Sequence, residues 1–128
     1  MRRLISSRSP WEPLVGFSRA VAIGNAVYVA GTAPYNEEGV LVGAGDVYAQ
    51  TVQCLRIIER ALVAAGSTMN DVVRTRIYIT DRSFAADAGR AHAEFFRDIR
   101  PAATMVVVAG LVDPAMLVEI EADAVRGE

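Results

Sequence analysis

The chain has 128 residues, enough for about one domain around a single hydrophobic core. Hydrophobic residues make up 52%, charged residues 22%, and the net charge is only −2, so no strong field attracts nucleic acid or anionic lipid. The single cysteine, Cys54, excludes an intrachain disulfide and is typical of a reducing cytoplasm.

The hydropathy of the sequence predicts neither export nor membrane insertion. The first ten residues lack the apolar core of a signal peptide. The longest apolar-rich run, residues 101–112, is shorter than the roughly 20 residues that span a bilayer. We therefore predict one domain over residues 1–128, located in the cytoplasm, with neither a nucleic-acid nor a membrane partner.

The first third of the chain predicts a β-hairpin. Residues 17–23 alternate in polarity, and Gly24-Asn25 is a favoured turn pair before the apolar strand at 26–31. A second turn at 36–39 leads into a short apolar segment at 40–42.

Two amphipathic helices follow. Asp46 is a suitable N-cap, apolar residues recur at helical spacing through residue 65, and Gly66 fits the position just after the helix. A second helix is predicted at 83–98, ended by Pro101. Its apolar face consists of Phe84, Ala88, Ala91 and Phe95.

Three further strands are predicted, at 72–80, 104–111 and 116–125. The first of them places Val73, Thr75, Ile77 and Ile79 on one side and Arg74, Arg76 and Tyr78 on the other. The order β-β-(β)-α-β-α-β-β predicts an α+β fold, a mixed sheet with both helices on one face.

The second face of this sheet predicts an oligomer. Strand 116–125 alternates between small apolar residues and acidic residues, whereas strand 104–111 is apolar on both sides. A strand that is apolar on both sides is buried on both, and two helices cover only one face. Another copy of the chain is the simplest cover for the other face.

Few of the residue patterns that are typical of catalytic or cofactor sites are present in the sequence. One histidine and one cysteine exclude a His/Cys metal cluster, and no glycine pattern matches a phosphate loop. His92 is interpreted as a helix-surface residue and Cys54 as a packing residue.

One pairing of charges leaves two interpretations open. Arg74 and Arg76 share one side of a strand, and Glu119, Glu121 and Asp123 share one side of another. They form either cross-strand ion pairs, each contributing well under about 1 kcal/mol, or an interface site where a partly desolvated carboxylate moves protons.

Several stretches, in the same order from residue 17 to 125, resemble the Rid (reactive intermediate deaminase, or YjgF-like) family. The hairpin at 24–32 resembles its N-terminal region, and 50–66 with 71–81 resembles its helix and following strand. Its C-terminal signature is matched by Arg100-Pro101-Ala102-Ala103-Thr104 and Leu117-Val118-Glu119-Ile120-Glu121-Ala122.

The resemblance implies a fold like that of the small chorismate mutases, a homotrimer with clefts between subunits, and no metal or organic cofactor. It implies hydrolysis of 2-imino acids and their enamine tautomers, with Glu119 activating a water. The implied substrate-binding residues, with Arg19 added here as a candidate cation, are Phe17, Arg19, Ala30, Gly31, Thr32, Ala103 and Met105.

The chain departs from the family at two positions. Ala103 stands where deaminating members have an arginine that grips the substrate carboxylate, and the usual asparagine of the second helix is absent near Gly89. Either Arg19 or Arg76 replaces that cation, or the substrate has no carboxylate there, or the pocket only binds. We therefore predict a deaminase of a small imine or enamine, with a non-catalytic trimeric metabolite-binding protein as the alternative. A ribonuclease is a third, weaker alternative, disfavoured by the charge.

Overall fold

The computed structural model describes residues 1–127, which form a mixed six-stranded sheet and two long helices. In chain order the elements are β1 (Arg2–Ile5), α1 (Trp11–Val15), β2 (Ala20–Ile23), β3 (Ala26–Thr32), α2 (Val47–Ala64), β4 (Val72–Ile79), α3 (Ala85–Phe96), β5 (Ala102–Val107) and β6 (Val118–Val125). The strand order is β1-β2-β3-β6-β4-β5, and only β4 and β5 pair in parallel. The α+β prediction is confirmed. Glu128, the last residue of the predicted single domain, lies outside the described residues.

The long helix α2 begins and ends where its sequence signals indicate. The Asp46 carboxylate accepts a hydrogen bond of 3.1 Å from the backbone N–H of Ala49. After the last turn, Gly66 adopts a φ of +82°, in the left-handed region that favours glycine. The helix predicted at 83–98 is shorter, a 3-10 turn at Arg82–Phe84 followed by α3. No helix within residues 1–127 has both the length and the apolar character needed to cross a bilayer.

The core lies between the helices and one face of the sheet, and β6 shows this division most clearly. Its apolar side chains, from Val118 to Ala124 at alternate positions, are at most 1% exposed. The three acidic side chains between them are half-buried on the opposite face. The alternation predicted for this strand is confirmed, and the face without helices is called the open face below.

Two N-terminal elements were not predicted. Strand β1 pairs with β2 at one sheet edge, and its two arginines hide the apolar alternation that normally reveals a strand. Helix α1 has only five residues and ends at Gly16, whose φ is +90°. Strand β2 starts at Ala20, so the predicted start at residue 17 is wrong and Phe17 lies in the connection from α1.

Strand β4 contains an irregularity that the alternation did not predict. The register with β6 shifts between Val72 and Arg74, so Val72 is buried whereas Val73 is 47% exposed. The prediction that Val73 shares a side with Thr75 and Ile77 is therefore wrong, because a bulge interrupts the alternation at that point.

The last two strands are shorter than predicted. Strand β5 ends at Val107 rather than at 111, and β6 begins at Val118 rather than at 116. The segment at 40–42 is not a strand, since only Leu41 forms a bridge, with Tyr35. As the edge strand, β5 leaves Val106 and Val107 41% and 51% exposed in a single chain.

Candidate functional site

A bulge in β3 forms the centre of the candidate site. The register between β3 and β6 shifts between Val29 and Thr32, which places Ala30 and Gly31 in the irregular stretch. The Thr32 side chain is fully buried, and its hydroxyl donates to the Ala30 carbonyl at 2.8 Å. Thr32 therefore shapes the bulge from below, with its hydroxyl already engaged.

The carboxylate of Glu119 lies against this bulge. A Cβ built on Gly31 would be 2.9 Å from Glu119 Oε2 and 3.3 Å from its Cδ. Real Cβ atoms do not approach other heavy atoms so closely, and the φ of Gly31 is not positive, so the glycine serves close approach rather than a special backbone conformation. Gly31 thus makes room for the carboxylate.

Arg19 lies on the other side of Gly31, one residue before β2. Its Nη2 donates to the Gly31 carbonyl at 2.5 Å, and its own carbonyl accepts from the Ala30 N–H at 2.9 Å. Its Nε is buried without a hydrogen-bond partner among the described residues. The guanidinium carbon lies 5.9 Å from the centre of the Phe17 ring, within the range of a cation–π contact.

The surroundings of Glu119 favour a proton-accepting role. Burial raises the pKa of its carboxyl, Arg19 lowers it, and Glu121 raises it again, with a net rise. No donor within residues 1–127 forms a hydrogen bond to this carboxylate. A half-buried carboxylate with both oxygens unengaged is chemically suited to bind and activate a water.

The neighbouring charges form the ion pairs of the alternative interpretation. Arg76 Nη1 lies 3.4 Å from Glu121 Oε1 and 3.3 Å from Asp123 Oδ2. The Tyr78 hydroxyl donates to Glu121 at 2.9 Å. Arg76 is thus engaged by these two carboxylates, and the positive charge that lowers the pKa of Glu119 is that of Arg19.

Arg19, Gly31 and Glu119 are together called the Glu119 cluster below. A groove of about 650 Å³ adjoins this cluster on the open face. Phe17 and Ala30 line it together with residues of β1, α1 and β2. Glu119 is not among the lining residues, so the groove lies beside the carboxylate rather than around it.

The structure separates Ala103 and Met105 from the Glu119 cluster. Ala103 pairs with Thr75, which is fully buried under the helices, and Met105 pairs with the buried Ile77. Paired residues of adjacent strands point to the same face, so both lie on the helix side, whereas Glu119 lies on the open face. Strand β5 is also two strands away from β6, about 10 Å.

His92, the only histidine in the sequence, is half-buried and contacts β4. His92 Nε2 lies 2.9 Å from the Thr75 hydroxyl, its ring is 4.6 Å from that of Phe96, and burial lowers its pKa. The prediction of a helix-surface histidine is wrong, because α3 turns this position toward β4. Cys54 is fully buried, and burial raises the pKa of its thiol, in agreement with a packing role.

Glu12, a further residue of this site, was not predicted from the sequence. Glu12 of α1 is only 7% exposed, and its Oε2 accepts hydrogen bonds from the Ser7 N–H at 3.0 Å and hydroxyl at 2.6 Å. Together with Glu119 it opposes the lowering of the Arg19 pKa by burial. A lone glutamate in a five-residue helix carries no periodic signal that could have revealed it.

This fold is that of an established family. The sequence model of the family described as endoribonuclease L-PSP matches residues 7–126. A Mycobacterium tuberculosis member of the YjgF/YER057c/UK114 family has a crystal structure with a TM-score of 0.90 and 49% identity, covering 98% of this chain and 100% of that one. The chain belongs to the YjgF/Rid family.

Two further relatives have no described activity. An uncharacterized protein of Streptomyces coelicolor is 40% identical over 98% of this chain and 92% of its own length. A Rid family protein of unknown function from Yersinia pestis is 31% identical, with a TM-score of 0.87, and the match covers 98% of this chain and 100% of that one.

Proposed function

We propose that this protein hydrolyses a small imine or enamine to a carbonyl compound and ammonia, with Glu119 as the general base. The observation that carries this proposal is the Glu119 carboxylate itself. It is half-buried, its pKa is raised, no described residue donates to it, and Gly31 leaves space for it.

The chemistry needs one proton acceptor that later becomes a donor. Glu119 takes a proton from water as the water oxygen attacks the carbon of the N-protonated imine, whose C=N π electrons move to nitrogen, which gives a neutral carbinolamine. The protonated carboxyl then returns this proton to the amino nitrogen. The C–N bond breaks, ammonia leaves with the bonding electron pair, and it takes the hydroxyl proton as the carbonyl forms, so ammonium and the Glu119 carboxylate result. An enamine first becomes the imine by gaining a proton at carbon and losing one from nitrogen, so the overall reaction consumes only water.

The complete site belongs to an oligomer in this proposal. Within one chain, Ala103 and Met105 lie on the opposite sheet face from Glu119. A substrate contacting both sets therefore requires β5 of one copy to meet the Glu119 cluster of another. We propose that the homotrimer implied by the family resemblance forms this interface and buries Val106, which is 41% exposed in a single chain.

The substrate is expected to lack a carboxylate beside Ala103. Alanine supplies no cation, and Arg76 is already paired with Glu121 and Asp123. Arg19 is the remaining candidate cation, but it lies on the Glu119 side, held to the Gly31 carbonyl. A net charge of −2 and scattered basic residues favour a small molecule over RNA.

The test is a panel of neutral and carboxylated imines generated in situ, with ammonia release as the readout. Glu119→Gln keeps the shape of the side chain but removes the base, so turnover should fall by about 100-fold or more. Glu121→Gln is the matched control, two residues along the same strand face, and should retain turnover within a few-fold. Equal turnover by Glu119→Gln and the native protein would reject the general-base role.

The second candidate is a non-catalytic binding protein that uses the same clefts. The absence of a carboxylate-gripping cation at Ala103 favours it, since substrate orientation is the first requirement for catalysis. Saturable calorimetric binding of a panel compound, without ammonia release by native protein, would select this alternative.

A further inference from the structure

Three charged side chains from distant parts of the sequence converge beside the β3 bulge. Glu12 comes from α1, Arg19 from the residue before β2, and Glu119 from β6. One is a cation and two are carboxylates, and both carboxylates oppose the lowering of the Arg19 pKa by burial. Such an arrangement holds a charge at a defined place in a half-buried site.

The cation is fixed by the backbone rather than by its charged neighbours. Arg19 forms no direct ion pair with a carboxylate of the described chain, and its Nη2 is instead anchored on the Gly31 carbonyl. Glu12 is fixed independently by its two hydrogen bonds from Ser7. The guanidinium is therefore held at Gly31 while Glu119 keeps both oxygens free.

We propose that Arg19 is a positioning residue for Glu119, supplying an anchored positive charge that keeps this carboxylate ionised at its place against Gly31. Glu12 is the counter-charge that allows the cation to remain buried. The inference rests on the proposed function for the importance of an ionised Glu119, but the coupling between the two side chains is measurable without any substrate.

Other titratable groups lie close enough to Glu119 to interact with it electrostatically. The neighbouring elements contribute Glu121 on β6, Tyr78 on β4 and Cys54 on α2. Among the groups named here, Arg19 is the one whose positive charge lowers the pKa of Glu119, whereas Glu121 raises it. Replacing these two residues should therefore shift the titration of Glu119 in opposite directions.

The test is a carbon-13 NMR titration of glutamate side-chain carboxyls in the full-length protein, with the Glu119 signal assigned by its loss in Glu119→Gln. In Arg19→Met the titration midpoint of Glu119 should move to higher pH. In Arg19→Lys, which keeps the charge, it should stay near the native midpoint. In Glu121→Gln it should move to lower pH, which shows that the method reports local charge in both directions.

An unchanged midpoint in folded Arg19→Met would overturn the inference, as would a shift in Arg19→Lys equal to that in Arg19→Met. If Arg19→Met does not fold, Arg19→Gln takes its place and the same outcomes apply. A shifted midpoint in a protein that releases no ammonia would reject the proposed hydrolysis while upholding the coupling. Where turnover is measurable, the acidic limb of kcat/KM should shift to higher pH with the NMR midpoint.

Discussion

The Glu119 carboxylate occupies the space that a side chain at position 31 would fill. Its Oε2 would be 2.9 Å from a Cβ on Gly31, and its Cγ would be 3.7 Å away. Because the first obstacle is the end of a flexible side chain rather than backbone, a methyl group at position 31 would displace the carboxylate without displacing the strand.

Gly31→Ala should therefore separate catalysis from folding. We expect turnover to fall at least about tenfold, since small displacements of a reacting group have large effects on rate, while the free energy of unfolding changes by under about 1 kcal/mol. Ammonia release and urea denaturation measure the two quantities. Gly39→Ala, at an exposed turn with a positive φ, is a control that should lose some stability but keep turnover. Full turnover in Gly31→Ala would show that the position of Glu119 is unimportant.

The open sheet face predicts a homotrimer in solution. Val106, on this face of β5, is 41% exposed in a single chain, and β5 is the sheet edge. Light scattering should give three times the mass of 13.7 kDa. Val106→Glu should weaken the assembly, because a charge would be buried in the interface, whereas Val112→Glu, at a 97% exposed position, should not. A stable monomer at micromolar concentration would contradict burial of this face, and a dimer would contradict the trimeric geometry.

The alanine at position 103 predicts a restricted substrate range. Native protein should hydrolyse 2-iminopropanoate weakly or not at all, because no arginine is present there to bind its carboxylate. Ala103→Arg should raise kcat/KM for this substrate, while Ala103→Gln, which adds bulk but no charge, should not. Native turnover equal to that of an arginine-bearing family member would show that this cation is dispensable.

The burial of His92 predicts a loss of stability in mild acid. Its pKa is lowered in the folded protein, so as the pH falls below about 6.5 the unfolded chain binds a proton that the folded chain resists. The free energy of unfolding should therefore decrease through this range. His92 is the only histidine, so His92→Gln should remove this component. Urea denaturation at about pH 7.5 and about pH 5 measures it, and an identical pH dependence in both proteins would contradict the assignment.

The sequence alone determined the elements whose signals are local. The Asp46 cap and Gly66 define the ends of α2 within a turn, and the strict alternation along β6 identifies both its buried and its acidic side. These features depend on neighbours in the chain, because helix caps and strand alternation are set by residues a few positions apart. The family resemblance likewise indicates Glu119 and Gly31 as site residues.

Only the tertiary structure determined which charges meet. Arg19 and Glu119 are 100 positions apart, and they become neighbours because β3 lies between β2 and β6 and bulges at Gly31. The pairing of β4 with β6 and β5 likewise places Arg76 beside Glu121 and places Ala103 on the sheet face opposite Glu119. The bulge in β4 turns Val73 outward. Strand order and bulges arise from long-range packing, and a shift of one residue reverses the face of every side chain that follows, so alternation within one strand does not specify them.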